Sequence, residues 1–318
     1  MKVEAADAVI AELRSIFIPH PAASLIAVEL DRIVRRRFAD HASDRAREAG
    51  GLVVLGPPGS GKTSAVRHAI ETHPLLHEAR SEGCISAAFV RVPAPSSIKD
   101  LGAATLNALG WKLEISPRWS AMERWRRVQG LLEDLRVFVL HFDEAQHLAG
   151  DRTKELQGIG DALKTRLQHP VWPVALAISA TPEFKLVLDQ DRQLARRITP
   201  IIIEQLSPAS NAAQVLTALR RYVDQAGIGV SDFIKGREFT NRLIAAGDRY
   251  FALVCTTIVD AIEEALIVGC NTLDNSHFAE AFRRRSGSTD GFNPFLARNY
   301  QDIDVRRLLE GRGLEANP

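Results

Sequence analysis

A glycine-rich run that ends in lysine and threonine carries the clearest chemistry in this sequence. Glycines let successive backbone N–H groups turn toward one anion, and a helix that begins here adds its positive N-terminal end. Lys62 would place an ammonium on the β and γ phosphates of a nucleotide, and the Thr63 hydroxyl would be a ligand of Mg²⁺. The run therefore predicts a site for ATP and Mg²⁺. Its residues are Gly56, Pro57, Pro58, Gly59, Ser60, Gly61, Lys62 and Thr63.

Two acidic residues, Asp143 and Glu144, follow the apolar run 137–142. At the carboxyl end of a strand, Asp143 can hold Mg²⁺ through water, and Glu144 can polarise the attacking water. Such a pair of acids also commonly caps a helix, but the phosphate-binding run upstream favours the catalytic interpretation. His141 is polar within the same apolar run, and we interpret it as a core histidine with a hydrogen-bond partner.

A hydroxyl and a group of arginines occupy comparable positions farther along the chain. Thr181 follows the apolar run 174–179 and is predicted to contact the γ-phosphate or the lytic water. The alternative is that Thr181 only caps a helix that starts at Pro182. An arginine just before an edge strand can neutralise transition-state charge on the nucleotide of a neighbouring subunit. The residues leave open which of Arg192, Arg196 and Arg197 does so, and a solvated basic turn is the alternative.

These residues need a scaffold, and the hydrophobic pattern predicts one. Five short apolar runs alternate with helical patterns, which indicates a parallel sheet covered by helices on both faces. Ligands of such sheets bind at the carboxyl ends of the strands, where the residues above are located. Ser120 and Glu123 form a capping-box pattern at the start of one helix, which should run to about Leu135. The runs are 52–55, 86–92, 137–142, 174–179 and 200–204.

The pattern changes after Ser207 and Pro208. From there to about Arg285 no convincing strand is present, and helical patterns cover 209–225, 232–246, 249–268 and 275–284, the last after a capping Asp274. We therefore predict an N-terminal helical lead-in over 1–50, an α/β core over 51–206, a small all-helical domain over 207–285 and a tail over 286–318. The tail keeps Phe292 and Phe295, which predicts either a segment that orders on a partner or one that lies on its own helical domain.

Composition excludes several classes of protein. The 318 residues are 46% hydrophobic and 25% charged, with a formal net charge of +1, as in ordinary globular proteins. This balance does not decide for or against nucleic acid. The three cysteines lack the spacing of a zinc site or a disulfide framework. The first ten residues include acids, and no apolar stretch is long enough to span a bilayer, so we expect a cytoplasmic protein without a membrane partner.

Together these motifs resemble the AAA+ ATPase family over about residues 20–285. The resemblance implies that GPPGSGKT at 56–63 is the Walker A loop and that VFVLHFDE at 137–144 is Walker B. It implies ATP hydrolysis, a P-loop AAA+ core and a helical lid after residue 207. Thr181 then corresponds to sensor 1, Arg197 to the arginine finger and Arg249 to sensor 2, with Arg196 and Arg192 as substitutes for the finger.

Within AAA+ proteins, the sequence is similar to the transposition regulators TniB and TnsC, which are related to the Mu B protein. The similarity lies in the lead-in Ile18-Pro19-His20-Pro21, the compact core with a small lid and the segment LDQDRQLARRI. It implies a homo-oligomer, ring or helical filament, on double-stranded DNA that recruits a transposase and in some systems a target-selecting protein. The chain departs from the commoner DEAH ending of Walker B, since Gln146 follows Ala145. Basic residues that can face DNA are Lys99, Lys112 and Arg118, although solvated charges are the alternative.

Two other functions are compatible with the same motifs. One is another AAA+ machine, such as an origin-recognition-type initiator or a helicase loader, although initiators usually append a winged-helix domain and 286–318 is short for one. The other is a nucleotide switch in a signalling or defence complex, which would bind ATP and act through protein contacts alone.

Overall fold

The computed structural model of the chain describes residues 2–43, 45, 47–148 and 153–309. Its α-helices, in chain order, are α1 (Lys2–Ser15), α2 (Ala23–Ala42), α3 (Lys62–Glu71), α4 (Pro74–Ser81), α5 (Ile98–Ala108), α6 (Ala121–Asp134), α7 (Thr153–Leu167), α8 (Lys185–Gln190), α9 (Arg192–Ala195), α10 (Pro208–Ala226), α11 (Arg237–Ala246), α12 (Phe251–Ile267), α13 (Asn275–Ser286) and α14 (Val305–Leu309). Its strands are β1 (Gly51–Leu55), β2 (Ala87–Arg91), β3 (Val139–Asp143), β4 (Ala175–Ala180), β5 (Ile198–Ile202), β6 (Gly229–Val230) and β7 (Thr272–Leu273).

The described chain forms two compact units. The sheet unit contains the described residues of 21–58 and 62–203, and the helical unit contains those of 2–20, 59–61 and 204–309. The predicted lead-in, residues 1–50, is thus divided between the two units near Pro21 rather than forming one segment. Pro19 and Pro21 lie between α1 and α2. Because proline has no backbone N–H and fixes φ, one continuous helix cannot run from α1 into α2.

The sheet unit is built on a five-stranded parallel sheet in the order β2-β3-β4-β1-β5. The sequence analysis predicted all five strands, and the predicted α/β core with its five-stranded parallel sheet flanked by helices is confirmed. Every residue of β1 and of β4 is buried, as expected for central strands with helices on both faces. Because all strands point the same way, β1, β3 and β4 deliver the residues that follow them to one edge of the sheet, which we call the carboxyl edge.

Helix ends in this unit follow the predicted capping chemistry. Glu123 accepts a hydrogen bond from the Ser120 backbone N–H at 2.7 Å, and the Ser120 hydroxyl accepts from the Glu123 N–H at 3.2 Å, so the predicted capping box of α6 is confirmed. Ser97 and Asp100 form a second box at the start of α5, which the sequence analysis did not identify.

The helical unit buries one apolar core shared by α1, α10, α11, α12 and α13. Ile10 and Leu13 of α1 lie in this core, so the first helix belongs to this unit and not to a lead-in of the sheet. Two polar contacts fix it further, since Arg14 pairs with Glu263 at 3.0 Å and Gln225 donates to Glu12 at 2.6 Å.

A short parallel pair, β6 with β7, interrupts the helical pattern of this unit. The prediction that no strand follows residue 207 is therefore wrong in detail, because two-residue strands leave no alternation in the sequence. The tail also folds here as far as Leu309: Phe295 is 3% exposed and packs near Phe239 and Phe278, whereas Phe292 is 59% exposed. Residues 310–318 of the predicted tail lie outside the described residues.

Candidate functional site

The phosphate-binding run forms a loop between β1 and α3. Gly59 and Gly61 adopt φ values of +74° and +95°, which side chains other than glycine rarely tolerate. The helix begins at Lys62, so unpaired N–H groups of its first turn face the loop. The Ser60 hydroxyl is buried and has no hydrogen-bond partner among the described residues. A glycine-rich loop that leads into the start of a helix fits the triphosphate of ATP.

Lys62 lies against this loop. Its ammonium donates to the Pro57 carbonyl oxygen at 2.8 Å, and the residue is only 6% exposed. Burial lowers the pKa of Lys62, and the neighbouring carboxylates of Glu144 and Asp143 act in the opposite direction. An ammonium beside the loop and near these carboxylates is placed to neutralise phosphate oxygens.

Thr63 and Asp143 bring two oxygen ligands together. The Thr63 hydroxyl donates to Asp143 Oδ1 at 2.7 Å, which joins the first turn of α3 to the end of β3. Mg²⁺ prefers a small number of protein oxygens and fills its remaining positions with water and phosphate oxygens. A hydroxyl and a carboxylate beside a phosphate loop therefore fit this ion. Among the described residues there is no group of three or more His, Cys, Asp or Glu side chains that would hold a metal ion by itself.

Glu144 has an unusual backbone. Its φ of +55° lies in the left-handed region, which is costly for a residue with a side chain. The turn separates β3 from a 3₁₀ helix, Ala145–Leu148, and it directs the chain away from the strand immediately after Asp143. From this 3₁₀ helix, the Gln146 side-chain amide donates to Glu144 Oε2.

Thr181 follows β4, the strand between β3 and β1. It occupies the N-cap position of a 3₁₀ helix, Pro182–Phe184, but its side chain makes no capping hydrogen bond. Its backbone N–H donates to Gln146 Oε1 at 3.2 Å. One residue earlier, the Ala180 carbonyl oxygen accepts from the Gly56 N–H at 3.2 Å. Within the sheet unit, the structure thus brings Thr181, Glu144 and the start of the phosphate loop to the carboxyl edge.

Gln146 is the residue that sequence reasoning missed as part of the site. Its only signal was its position three residues after Asp143, which was noted as a departure from the DEAH ending. His141, in contrast, is where the sequence analysis expected it: it is 1% exposed, and its Nε2 is 2.9 Å from the Ser179 hydroxyl. Burial lowers the pKa of His141 to about 3, so the ring is neutral and structural, and that prediction is confirmed.

Arg197 lies at the opposite edge of the sheet. It immediately precedes β5, whose first residue pairs with Gly51 at the start of β1, whereas Lys62 follows the end of β1. Five strand residues at about 3.3 Å each separate the two edges by roughly 16 Å. Arg197 is therefore remote from the phosphate loop of its own chain.

The Arg197 guanidinium is also occupied. Its Nη2 lies 2.7 Å from Glu48 Oε2, and its Nη1 donates to the Gln193 carbonyl oxygen at 2.6 Å. Hydrogen bonds from Gln168 and Arg197 lower the pKa of Glu48, so this carboxylate stays charged. The two substitute arginines, Arg192 and Arg196, are exposed.

A cleft of about 550 Å³ surrounds this ion pair, and we call it the amino-edge cleft. The cleft is lined by more arginines than carboxylates, of which it has two. The arginines come from α2, from the connector before β1 and from the segment before β5. The charged lining residues are Arg32, Arg36, Arg37, Asp40, Arg47, Glu48, Arg196 and Arg197.

The remaining predicted residues lie elsewhere. Arg249 is in the helical unit, between α11 and α12, where its Nε donates to the Leu206 carbonyl oxygen at 3.2 Å. In the sheet unit, Lys112 and Arg118 are exposed on the segment between α5 and α6. Lys99 instead donates to the Pro117 carbonyl oxygen at 2.7 Å and so fastens that segment to α5. The described helices include none with the length and apolar character needed to cross a membrane.

Comparison with known proteins identifies relatives of this arrangement. The sequence pattern of the family described as bacterial TniB protein matches residues 11–208, more than half of the chain. A search of curated proteins gave no match.

The fold is similar to those of archaeal proteins of known structure. The ORC1 protein of Aeropyrum pernix, solved in complex with DNA, gives a TM-score of 0.62 at 15% identity, covering 85% of this chain and 66% of that chain. The Cdc6 protein of Pyrobaculum aerophilum gives 0.58 at 14% identity, with 86% and 70% covered. The ORC2 protein of A. pernix, in ADPNP and ADP complexes, gives 0.59 at 14% identity, with 86% and 71% covered. The chain spans about two thirds of the length of these matched chains, and at such identities the similarity shows the fold.

Proposed function

Because this chain belongs to the bacterial TniB family, we propose that it is an ATP-dependent AAA+ regulator of DNA transposition. In this proposal it oligomerises on double-stranded target DNA and recruits or activates a transposase, and in some settings it contacts a target-selecting protein. The observation that carries the proposal is the placement of Lys62 and Glu144 at one edge of the sheet and of Arg197 at the other. A subunit arranged in this way can offer its arginine only to the nucleotide of another subunit.

Hydrolysis is assigned to the carboxyl edge. The loop amides and Lys62 bind the phosphates, Glu144 polarises the attacking water, and the Thr181 hydroxyl contacts the γ-phosphate or that water. Bound Mg²⁺, held through Thr63 and Asp143, would supply positive charge to the phosphate oxygens. Arg249 is proposed to act as sensor 2 from the lid.

Assembly is assigned to the amino-edge cleft. Its excess of guanidinium groups suits the phosphates of a neighbouring subunit's ATP, which Arg197 would reach after it leaves Glu48. A fixed arginine that stabilises transition-state charge contributes roughly 10³ to 10⁵ in rate. ATP binding thereby favours the oligomer, and hydrolysis weakens it.

DNA binding is assigned to the exposed basic residues Lys112 and Arg118, on the segment that Lys99 fastens to α5. A few contacts per subunit suffice, because many subunits of an oligomer bind one DNA molecule at once and their weak affinities combine. The DNA complex of the A. pernix ORC1 protein supports DNA as a ligand of this fold. We place the protein in the cytoplasm, where transposase and target DNA are present in bacteria.

An initiator or helicase loader of the AAA+ class is the second candidate, because the similar archaeal folds are ORC and Cdc6 proteins. A transposase partner distinguishes the two functions. A nucleotide switch that acts through protein contacts alone is the third, and DNA binding separates it from both.

The test is retention of duplex DNA in a native gel, with a nonhydrolysable ATP analogue, with ADP and without nucleotide. We expect retention that depends on the analogue, falls steeply with salt and is lost in Lys62→Ala. Retention that is insensitive to both nucleotide and salt contradicts the proposal. Absence of retention in every condition favours the nucleotide switch.

A further inference from the structure

The side-chain amide of Gln146 joins two parts of the candidate site. Its Nε2 donates to Glu144 Oε2, and its Oε1 accepts from the Thr181 backbone N–H at 3.2 Å. Glu144 follows β3 and Thr181 follows β4, so one side chain spans the ends of two neighbouring strands. Such a bridge needs a side chain that donates and accepts at the same time, and the uncharged amide does so through two separate atoms.

The backbone around Gln146 is arranged so that this bridge can form. The left-handed φ of Glu144 turns the chain into the 3₁₀ helix Ala145–Leu148, which carries Gln146 back over the strand ends. The two strands are tied below this point by the buried contact of His141 with Ser179. The Gln146 bridge therefore lies just beyond the part of β3 and β4 that is held together by strand pairing and by this buried contact.

The bridge is also continuous with the phosphate loop. Ala180, which precedes Thr181, accepts from the Gly56 N–H at the start of the loop. A hydrogen-bonded path thus leads from the loop to the end of β4, through Gln146, and on to the Glu144 carboxylate. Every group on this path belongs to the sheet unit.

We propose that Gln146 is a positioning residue that couples the γ-phosphate-sensing end of β4 to the orientation of the Glu144 carboxylate. The inference rests on the proposed function, because it assumes that Glu144 polarises the attacking water. When the Thr181 segment shifts on contact with the terminal phosphate, the acceptor bond at Oε1 changes, and the donor bond to Glu144 changes with it. Gln146 itself need not touch the nucleotide.

The test is a mutant cycle on single-turnover ATP hydrolysis at saturating ATP. Gln146→Leu removes both bonds, and we expect a loss of roughly 10- to 100-fold in the hydrolysis rate, in the range of a hydrogen bond to a charged group. The Kd of a nonhydrolysable ATP analogue should change less than about threefold, because the phosphate loop is intact.

Two further variants separate positioning from structure. Gln146→Glu has nearly the same shape and keeps an acceptor for the Thr181 N–H, but it cannot donate to Glu144 once ionised, so we expect a loss like that of Gln146→Leu. Gln146→Asn keeps the amide on a shorter side chain and should recover part of the rate. The matched control is Gln225→Leu, because Gln225 also donates to a glutamate, Glu12, in the helical unit; it should leave the rate unchanged.

The decisive comparison is made in the Glu144→Gln background. If Gln146 acts through Glu144, adding Gln146→Leu there should cause little further loss. An equal further loss, or a tenfold or larger loss of analogue binding, overturns the role of Gln146 and leaves the proposed function intact. An inactive but folded wild-type protein overturns both. If Gln146→Leu does not fold, the same comparison is made with Gln146→Glu, whose unchanged rate would equally overturn the inference.

Discussion

Lys62 and Arg197 lie at opposite edges of one parallel sheet, the first after the end of β1 and the second before the start of β5. Because β1 and β5 run side by side in the same direction, no rotation of either side chain brings the two cations to one phosphate group. In the proposed function, each chain therefore contributes half of a nucleotide site at each edge.

Replacing the proposed catalytic carboxylate should separate binding from hydrolysis. Glu144→Gln removes water activation but leaves Lys62 and the loop amides in place, so we expect a loss of roughly 10² to 10⁴ in hydrolysis rate with ATP affinity nearly unchanged. Phosphate release and titration with a fluorescent ATP analogue measure the two quantities. Turnover equal to wild type would remove Glu144 from this role.

The arginine at the amino edge should act between subunits. Arg197→Ala is expected to lower hydrolysis by up to roughly 10³-fold without a matching loss of nucleotide affinity. Mixing Arg197→Ala with Lys62→Ala subunits should restore part of the activity, because some mixed interfaces contain one intact arginine and one intact loop. Arg220→Ala, at an exposed arginine of α10, is the control. The same mixing experiment is made with Arg196→Ala and with Arg192→Ala. If one of these variants shows recovery and Arg197→Ala does not, the role of the arginine finger passes to that residue.

DNA affinity should depend on the exposed basic residues between α5 and α6. In the double variant Lys112→Ala, Arg118→Ala, we expect the slope of log affinity against log salt to fall by about 2, since each lost phosphate contact contributes about 0.9. Binding isotherms on duplex DNA at several salt concentrations measure the slope. Lys235→Ala with Arg220→Ala removes the same charge from the helical unit, and an equal effect of that pair would show that only net charge matters.

The buried imidazole of His141 should make the protein sensitive to acid. The folded pKa is about 3, against about 6.5 in the unfolded chain, so between these values only the unfolded chain takes up the proton. The contribution of His141 to stability is therefore complete above pH 6.5 and declines by about 1.4 kcal/mol per pH unit as the pH falls. The nearby Arg67 guanidinium further disfavours protonation.

Denaturant unfolding at pH 7 and pH 5 checks this expectation. Between these two pH values, the unfolding free energy of His141→Gln should fall by about 2 kcal/mol less than that of wild type, because the glutamine amide does not titrate. His77→Gln, at an exposed histidine, is the matched control for the exchange of an imidazole for an amide. Parallel pH profiles for His141→Gln and wild type would contradict the assignment.

The folded part of the tail should stabilise the helical unit through one of its two phenylalanines. Phe295→Ala opens a cavity beside Phe239 and Phe278, and we expect a loss of about 3 to 5 kcal/mol in unfolding free energy. Phe292→Ala, at an exposed ring in the same segment, should change stability by about 0.5 kcal/mol or less. Equal effects of both substitutions would show that Phe295 does not belong to the core.

Much of the fold was predictable because its signals are local. The apolar runs gave five strands, Ser120 and Glu123 gave a helix start, and the glycines and Lys62 gave the loop between β1 and α3. Each of these features depends on neighbours within a few residues, through backbone conformation or a short-range hydrogen bond. The alternatives for the tail were open, because a few aromatic residues in a polar segment do not reveal which surface covers them.

By itself, the sequence determined the nature of the chemistry: a phosphate loop, a pair of acids, a hydroxyl and a set of arginines on an α/β scaffold. Tertiary structure decided which of these groups meet. Gln146 bridges Glu144 and Thr181, Arg197 is held by Glu48 from a distant part of the sequence, and α1 packs into the helical unit. Such contacts join groups whose separation is set by strand order and helix packing, and hydrogen bonds weaken steeply with distance and angle. Residue type and spacing along the chain do not determine distances and angles with the precision that a hydrogen bond requires.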